Sequence, residues 1–313
     1  MIVDFQHHYL PKTLWKKYGG RPGEETVWYE RGVRKLGLRD LDHQIEKHLE
    51  AMDAAGIDAA VLTCWEPSLG DAKILNNDLA ALQRKYPRRI IGFAHTPPLG
   101  GKKALQELER GVKDLGLQGA AITGHVRGRS LDSGELFPFY EKVSELDVPI
   151  FVHASTIPPF PTVKRASNLV SGIGREMDLA LATCCIVYGG ILEEFPGLRF
   201  IIGHLGGGIG AIKERFTLMS RQLAPGSRMK HDFGHYFDKL YFDTAGFVDG
   251  TNAIRASLFG MKPSQIVLGT DFPHGGMTAS RMVRYLDKIR SLPIPKAQIK
   301  AILSENATRL LRL

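Results

Sequence analysis

Four residues with metal-binding side chains each stand at the end of a short apolar run. They are His8, His153, His204 and Asp271. Imidazole and carboxylate groups are ligands of zinc, manganese and iron-type ions. Any one of these residues alone is better explained as a hydrogen-bonded structural histidine or as a turn aspartate. The set indicates a metal site only if the fold brings its members together.

The first of these runs contains a glutamine two residues before its histidine. Side chains alternate between the two faces of a strand. The alternation predicts Asp4, Gln6 and His8 on one face, with Phe5 and His7 on the other. We therefore expect Gln6 to lie beside His8, and His7 to face a covering layer of helices.

Apolar runs of strand length recur eight times, with amphipathic stretches between them. Several are near-continuous Val, Ile, Leu and Phe, as in parallel strands that are covered on both faces. Eight such runs alternating with helices predict a single (β/α)8 TIM barrel of the α/β class. Its strands are predicted at residues 2–8, 59–64, 90–96, 119–125, 149–155, 200–205, 240–245 and 266–271. The ends of these strands surround one mouth of a barrel, so the four metal-binding side chains converge there.

The stretches between the runs show helical spacing. Apolar residues recur on one face through residues 41–52, and Gly56 supplies a C-cap before the next strand. Further helices are predicted over residues 104–115, 141–146 and 299–311. The last of these contains apolar residues that can close one end of the barrel.

Two longer segments interrupt this rhythm. Residues 11–39 follow the first strand, and residues 156–174 follow the fifth and are rich in proline. Barrel enzymes place active-site loops after the carboxyl ends of strands, so both segments are predicted to be loops that shape the pocket. Because no linker or repeat is visible, residues 1–313 are expected to form one domain.

Composition excludes several classes of protein. The net charge is +8, but Lys and Arg are dispersed without a basic run, which argues against nucleic acid and is compatible with a small anionic substrate. The three cysteines have neither disulfide nor zinc-knuckle spacing and are expected to be buried free thiols. No apolar run is long enough for a bilayer and the first residues do not resemble a signal peptide, so we expect no membrane partner and a cytoplasmic location.

Local motifs across nearly the whole chain resemble one branch of the amidohydrolase superfamily. This branch contains aminocarboxymuconate-semialdehyde decarboxylase and the aromatic-acid decarboxylases. The motifs are VDFQHHYLP at 3–11, MDAAGI at 52–57, LFPFYE at 136–141, FVH at 151–153, FPGL at 195–198, GHLGG at 203–207, GTDFP at 269–273 and NATRLL at 306–311.

The resemblance implies roles for the residues of the barrel mouth. Gln6, His8, His153 and Asp271 stand at the positions of the family's metal ligands, and His204 at that of its catalytic histidine. The fourth strand has no lysine that could bridge two metals, which favours one divalent ion, zinc or manganese. Relatives have His or Glu where this chain has Gln6, and a neutral amide is a weaker ligand than either.

The same resemblance suggests two substrate-binding arginines and a homodimer. Arg39 stands before a predicted helix, where the decarboxylases have an arginine that binds the substrate carboxylate. Arg215 follows His204 at the spacing of an arginine that reaches across a dimer interface in relatives. A guanidinium group binds a carboxylate through two parallel hydrogen bonds. The alternatives are a solvated surface position for Arg39 and a helix salt bridge for Arg215.

Two reactions fit this set of residues. In a decarboxylase of aromatic or unsaturated acids, the metal holds the substrate carboxylate and an adjacent oxygen, and Asp271 or His204 delivers a proton to carbon. In a hydrolase of a lactone or amide, the metal activates water, Asp271 takes its proton and His204 stabilises the oxyanion. The decarboxylase is the first hypothesis. A metal-free, non-catalytic barrel is the third, because of Gln6.

Overall fold

Parallel strands form the centre of the protein, a mixed α/β fold seen in a computed structural model. The structure describes residues 1–30, 33–155, 160, 169–222, 227–247 and 250–313. The parallel strands are β1 (Val3–His8), β2 (Ala59–Thr63), β3 (Ile90–Gly92, resumed at Ala94–His95), β4 (Ala120–Thr123), β5 (Ile150–His153), β6 (Phe200–Ile202), β7 (Tyr241–Asp243) and β8 (Ile266–Val267). Each lies inside one of the eight predicted runs, so the strand predictions are confirmed.

Neighbouring strands pair in chain order. β1 pairs with β2 and β2 with β3; the resumed part of β3 pairs with β4, which is followed by β5, β6, β7 and β8. The chain after β8 runs beside β1, since Phe5 N donates to Leu268 O at 2.7 Å and His8 N donates to Phe272 O at 2.7 Å. Because the paired strands are parallel, their carboxyl ends lie on the same side of the molecule.

Helices connect the strands, as the alternating pattern of the sequence predicts. They are α1 (Lys12–Lys17), α2 (Ile45–Ala55), α3 (Leu69–Lys85), α4 (Gly101–Lys113), α5 (Phe137–Leu146), α6 (Arg175–Tyr188), α7 (Ile191–Glu194), α8 (Lys213–Met219), α9 (Phe233–Phe237), α10 (Asn252–Ser257), α11 (Ala279–Arg290), α12 (Lys296–Lys300) and α13 (Asn306–Leu311). Val170–Gly174 and Ala301–Glu305 are π-helical. Gly56 ends α2 with a φ of 69°, the C-cap expected from the sequence.

The two predicted loops contain regular structure. Within residues 11–39 the chain forms α1 and an antiparallel hairpin of Thr26–Glu30 and Val33–Leu38. Within residues 156–174 the last part is the π-helical turn before α6. The sequence did not predict these elements, because short helices and hairpins lack the long periodic pattern that identifies elements in a sequence. Residues 156–159 and 161–168 lie outside the described residues.

Two hydrophobic clusters pack on opposite faces of the strands. The smaller one joins inward-facing residues of several strands to the C-terminal helix; its members include Val3, Phe5, Val61, Ile91, Phe93, Phe151, Ile201, Val267, Leu310 and Leu311. Phe5 and Phe93 meet edge to face in it, with 5.7 Å between ring centroids. The larger cluster lies between the strands and the helices and includes Ile302. Leu310 and Leu311 thus close one end of the inner cluster, as expected.

The alternation predicted for β1 is wrong at Asp4 and Phe5. Phe5 belongs to the inner cluster, while Asp4 lies on the other side and contacts His7. The pairing of β1 with β2 shifts between Asp4 and His7, and such an irregularity changes which face the following side chains occupy. Gln6 and His8 still point toward the same place, and His7 contacts His48 of α2, as predicted.

The prediction of buried free thiols is confirmed only in part. The chain contains three, all free thiols; Cys64 is buried, whereas Cys184 and Cys185 on α6 are only partly buried. Among the described residues, no helix combines the length and the apolar character needed to cross a membrane.

Because His95 is buried, we expect the free energy of unfolding to fall in acid. Its Nδ1 donates to Phe93 O and its Nε2 accepts from Cys64 N at 3.0 Å. Burial lowers the pKa of His95 from 6.5 to about 4. As the pH falls through this range, His95 binds a proton in the unfolded chain but not in the folded chain, and this difference destabilises the fold. We expect a loss of about 3 kcal/mol from this histidine between pH 6.5 and 4.

Urea unfolding at several pH values measures this loss. The His95→Gln variant keeps an acceptor for Cys64 N but does not titrate, so its stability should depend less steeply on pH over the same range. Equal slopes for the two proteins would show that His95 does not contribute.

Candidate active site

His8, His153 and Asp271 form one compact group at the carboxyl ends of β1 and β5 and in the chain after β8. One nitrogen of each histidine and one carboxylate oxygen all lie within 4.8 Å of one another. His8 Nε2 is 2.8 Å from Asp271 Oδ1, and the rings of His8 and His153 meet edge to face. Two imidazoles and a carboxylate are a suitable donor set for a divalent transition metal.

Hydrogen bonds and burial prepare these groups for a cation. His153 Nδ1 lies 2.7 Å from Ala154 O, which only accepts, so Nδ1 carries the proton and Nε2 keeps its lone pair. Burial, reinforced by the charge of His8, holds the pKa of His153 well below its usual value. Burial alone raises the pKa of Asp271, but the hydrogen bond and charge of His8 lower it far more. Neutral imidazole and ionised carboxylate are the forms that bind metals.

Gln6 is completely buried beside this group. Its Nε2 is 3.0 Å from Asp271 Oδ1, 3.4 Å from His8 Nε2 and 3.2 Å from His204 Nε2, whereas its Oε1 is buried without a hydrogen-bond partner. A cation at this point attracts the amide oxygen and repels the amide N–H, and a half-turn of the amide exchanges the two ends. His8, His153 and Asp271 therefore fit a divalent ion, and the amide of Gln6 lies beside them.

His204 lies in a glycine-rich turn after β6 and is paired with Glu176 of α6. His204 Nδ1 is 2.8 Å from Glu176 Oε1, so the carboxylate accepts a hydrogen bond from the ring and directs Nε2 toward Gln6. Burial lowers the pKa of His204, but the adjacent Glu176 carboxylate raises it more strongly, to about 9. Glu176 thus fixes both the orientation and the proton of His204.

Asp243, at the end of β7, holds the backbone of this turn. Its Oδ1 accepts from His204 N at 3.0 Å and from Ala245 N at 2.8 Å, and its Oδ2 is buried without a partner. Burial raises the pKa of Asp243 to about 7. The carboxyl group therefore joins β6 and β7 directly behind His204.

Gly207 allows the turn to approach α6 closely. A Cβ on Gly207 would lie 1.9 Å from Glu176 O, whereas a Cβ on Gly208 meets nothing within 4 Å. Both glycines have positive φ, 65° and 81°, so alanine strains the backbone at either position. We expect Gly207→Ala to lower the free energy of unfolding by about 1–3 kcal/mol more than Gly208→Ala.

Thermal and urea unfolding of the two alanine variants test this contact. The pair shares the backbone penalty, so the difference between them isolates the contact with Glu176. Equal destabilisation would mean that the turn and α6 do not need this close approach.

A buried polar network supports the site from behind β1. Asp4 Oδ1 accepts from Thr270 N at 2.9 Å and Asp4 Oδ2 from Thr270 Oγ1 at 2.5 Å, next to Asp271. His7 Nδ1 contacts Asp4 Oδ2 at 2.8 Å, and His7 Nε2 contacts His48 Nδ1 at 3.0 Å. The network ties β1 to the chain after β8 and so fixes the separation of His8 and Asp271.

A cavity of about 350 Å³ opens over the metal-binding group, a size typical of small-molecule sites. Its described lining residues are His8, Glu25, Gly37, Arg39, Trp65, His153, Val170, Ser171, Arg175, Glu176, His204, Gly246, Asp271, His274, Gly275 and Gly276. Burial lowers the pKa of His274 to about 3, and the charges of His8, Arg39 and Arg175 add to the effect. Both arginines therefore lie near enough to His274 to disfavour its protonated form.

The structure brings most of the sequence-predicted residues together. Arg39 lines the cavity and its Nη2 lies 3.5 Å from Pro273 O. Arg215 is exposed on α8 and does not line the cavity in a single chain. Arg175 and Glu176 also line the cavity but were not predicted, because they follow a segment without a recognisable motif. The one signal in the sequence that could have identified them is their charge at the start of an apolar helix.

Comparison with known proteins identifies the family of this chain. The profile of the amidohydrolase family matches residues 3–313. The chain therefore belongs to the amidohydrolase family, and the family expectation from the sequence is confirmed.

Several relatives within this family are decarboxylases. The chain is 27% identical over 293 residues to a gamma-resorcylate decarboxylase from Rhodococcus jostii, covering 86% of each protein. It is 28% identical over 300 residues to 2-amino-3-carboxymuconate-6-semialdehyde decarboxylase from Dictyostelium discoideum, covering 87% of this chain and 81% of that protein.

A solved structure shares the fold. It is a dihydroxybenzoic acid decarboxylase from Polaromonas with bound manganese and the inhibitor 2-nitroresorcinol. It superposes with a TM-score of 0.78 at 23% identity, covering 100% of this chain and 97% of that one.

Proposed function

We propose that this protein is a metal-dependent decarboxylase of an aromatic or unsaturated carboxylic acid. The observation that carries the proposal is the group of His8, His153 and Asp271 at the base of a cavity that also contains Arg39. Cationic and metal-binding groups in one small pocket suit a small carboxylate ligand. The decarboxylases among the relatives support the same reading.

The residues of the cavity have different proposed roles in the reaction. Gln6, His8, His153 and Asp271 are proposed to hold one ion, manganese or zinc, of which manganese is bound in the Polaromonas relative. When bound, the ion supplies a Lewis acid that stabilises negative charge on substrate oxygens.

Arg39 is proposed to bind the substrate carboxylate through its guanidinium group. The carbon–carbon bond to the carboxylate then breaks, carbon dioxide leaves, and the electron pair stays on the substrate carbon. His204, which the Glu176 carboxylate holds protonated, delivers the proton that forms the new C–H bond; Asp271, the alternative donor, would first have to take up a proton itself.

A screen of aromatic and dienoic carboxylic acids for carbon dioxide release tests the reaction. Protein loaded separately with manganese and with zinc should convert at least one acid. Lactone or amide hydrolysis without carbon dioxide release would favour the hydrolase that uses the same residues. No bound metal in the purified protein and no activity after loading would favour a non-catalytic protein.

Gln6 is tested by replacing it with Glu. A carboxylate is a stronger ligand than an amide, so we expect Gln6→Glu to raise manganese affinity about tenfold or more. In the metal-free protein the additional buried charge beside Asp271 should lower the melting temperature, and metal should restore it. Calorimetric titration with manganese measures the affinity. The same affinity in both proteins would mean that Gln6 does not contact the ion.

We propose that the strands close into the predicted (β/α)8 barrel. The hydrogen bonds between β1 and residues 268–272 support this, including Asp271 N to Gln6 O at 3.0 Å. In that arrangement the described elements form one catalytic domain around the mouth that contains His8.

We also propose a homodimer, in which Arg215 reaches the pocket of the second copy. Exposed apolar residues follow one face of the helix that contains α6: Ile173, Met177, Leu181 and Tyr188. This spacing gives a continuous apolar stripe, a common feature of protein interfaces. Arg215 lies on the neighbouring α8, where Tyr188 Oη donates to Phe216 O. Sedimentation of the protein and of Met177→Asp tests the assembly, and a monomeric parent protein would contradict it.

A further inference from the structure

We propose that His274, oriented by Asp42, presents a hydrogen-bond acceptor to the cavity and so selects acids that contain a hydroxyl group. The inference deepens the proposed function and rests on it for the class of substrate, a small aromatic or unsaturated acid. It assigns the selection to two residues that have no part in the proposed metal binding or proton transfer.

The turn after β8 places the ring of His274 in the wall of the cavity, beside the metal-binding group. His274 N donates to Asp271 O at 2.7 Å, and Met277 N donates to His274 O at 2.8 Å. The rings of His274 and His8 meet edge to face, with 5.0 Å between their centroids. The side chain of His274 is 22% exposed and lines the cavity. The backbone of His274 is therefore fixed, while its ring borders the space in which a ligand binds.

Asp42 lies behind this ring, in the 3₁₀ turn Asp40–His43 that precedes α2. Its Oδ2 accepts from Arg39 N at 2.6 Å, whereas its Oδ1 is buried without a hydrogen-bond partner among the described residues. His274 Nε2 is 3.5 Å from this Oδ1. An unpaired oxygen of a buried carboxylate is costly, and a carboxylate only accepts hydrogen bonds. The pair is therefore most stable when Nε2 of His274 carries the proton and directs it toward Asp42.

A proton on Nε2 makes Nδ1 of His274 an acceptor, because a neutral imidazole has one N–H and one lone pair. Burial and neighbouring positive charges lower the pKa of His274 to about 3, and a metal ion beside His8 favours the same neutral form. Among the described residues, Nδ1 makes no hydrogen bond, and it is not one of the atoms that are buried without a partner. Nδ1 is therefore accessible from the cavity that His274 lines.

A hydroxyl group is the substituent that fits a fixed acceptor at this point. Its hydrogen can be donated to Nδ1 of His274, whereas the oxygen of a methoxy group only accepts and would meet the nitrogen lone pair. A binding site built around one polar contact disfavours ligands that leave its polar group unpaired. Arg39, whose backbone N–H is bound by Asp42, is proposed to bind the carboxylate of the same ligand. Arg39 and His274 thus recognise different groups of one small acid.

Binding to manganese-loaded protein at pH 8 tests the selection without any turnover. Asp42 is ionised at this pH, because burial raises its pKa only to about 6. The probes are the three hydroxybenzoates and the three methoxybenzoates, measured by calorimetric titration. We expect at least one hydroxybenzoate to bind about fivefold or more tightly than the methoxybenzoate of the same substitution pattern, the effect of one hydrogen bond. His274→Phe keeps a flat ring without the acceptor and should reduce this preference to less than about twofold.

Asp42→Asn tests whether the carboxylate orients the ring. Arg39 N still requires an acceptor, so the amide oxygen should remain there and the amide NH2 group should face His274. The ring then accepts at Nε2 and carries its proton on Nδ1, which reduces the hydroxyl preference as well. Nitrogen-15 NMR of zinc-loaded protein shows which ring nitrogen is protonated, and His274→Phe assigns the signal. We expect the proton on Nε2 in the parent protein and on Nδ1 in Asp42→Asn.

His235→Phe, at an exposed position on α9, is the matched control and should keep the preference of the parent protein. No hydroxyl preference in the parent overturns the inference. A preference that survives in His274→Phe also overturns it and assigns the selection to the metal ion, and so does a proton on Nδ1 in the parent. Hydroxyl preference without carbon dioxide release from any acid would leave the role of His274 standing and remove the proposed reaction. Carbon dioxide release without the preference would do the reverse.

Discussion

Asp271→Asn should lower kcat/KM by about 10²- to 10⁴-fold, the range of a lost acid–base group. The substitution keeps the shape of the side chain and an oxygen that can face His8 Nε2, now at 2.8 Å from Asp271 Oδ1. It removes the single carboxylate among the grouped ligands and one of the two proposed proton donors. Manganese affinity should therefore fall together with activity.

The melting temperature and a control variant distinguish a loss of catalysis from a loss of folding. The pKa of Asp271 lies well below its usual value in the folded protein, so its charge contributes to stability at neutral pH and the metal-free Asn variant should melt below the parent protein. Activity is therefore compared at a temperature at which both proteins are folded. Asp114→Asn, at an exposed position after α4, is the control and should retain full activity. Activity of Asp271→Asn within tenfold of the parent would rule out both roles assigned to this carboxylate.

Glu176→Gln should lower kcat by about 10- to 100-fold, the usual effect of losing a group that orients an active-site histidine. The Glu176 carboxylate accepts the Nδ1 proton of His204 and fixes which nitrogen faces Gln6. An amide carries no charge, so the pKa of His204 should fall, and because an amide can donate as well as accept, the neutral ring can take either tautomer. KM and manganese affinity should change less than threefold, because Glu176 does not belong to the metal-binding group.

Two further variants make this result specific. Glu194→Gln, at an exposed position on α7, should leave kcat unchanged. Glu176→Asp retains the charge but shortens the side chain, and should recover part of the lost kcat if the carboxylate acts by holding the ring. A raised KM with unchanged kcat in Glu176→Gln would instead assign Glu176 to substrate binding.

The sequence determined the elements and the family of the protein. Continuous apolar runs and helical periodicity predicted all the parallel strands, because burial on both faces of a sheet demands such runs. The motif residues His8, His153 and Asp271 lie in three of these runs, and parallel strands in order bring their ends together. Local patterns were sufficient to locate these strands and the residues at their ends.

Roles that depend on contacts between distant segments were decided by the tertiary structure. The irregular pairing of β1 placed Phe5 in the inner cluster and Asp4 behind the site, against simple alternation. The pairing of His204 with Glu176 joins residues 28 positions apart and has no local pattern.

The sequence did not predict which residues of the connection after β5 form the wall of the pocket. Arg175 lines the cavity directly after a π turn, and such a turn differs from an α-helix by a small change in hydrogen bonding that leaves no periodic signature. Hydrophobic patterning therefore fixed which segments form the strands and which ends meet. Packing between segments fixed which polar side chains line the cavity, because the position of each side chain there depends on distances between residues of different segments.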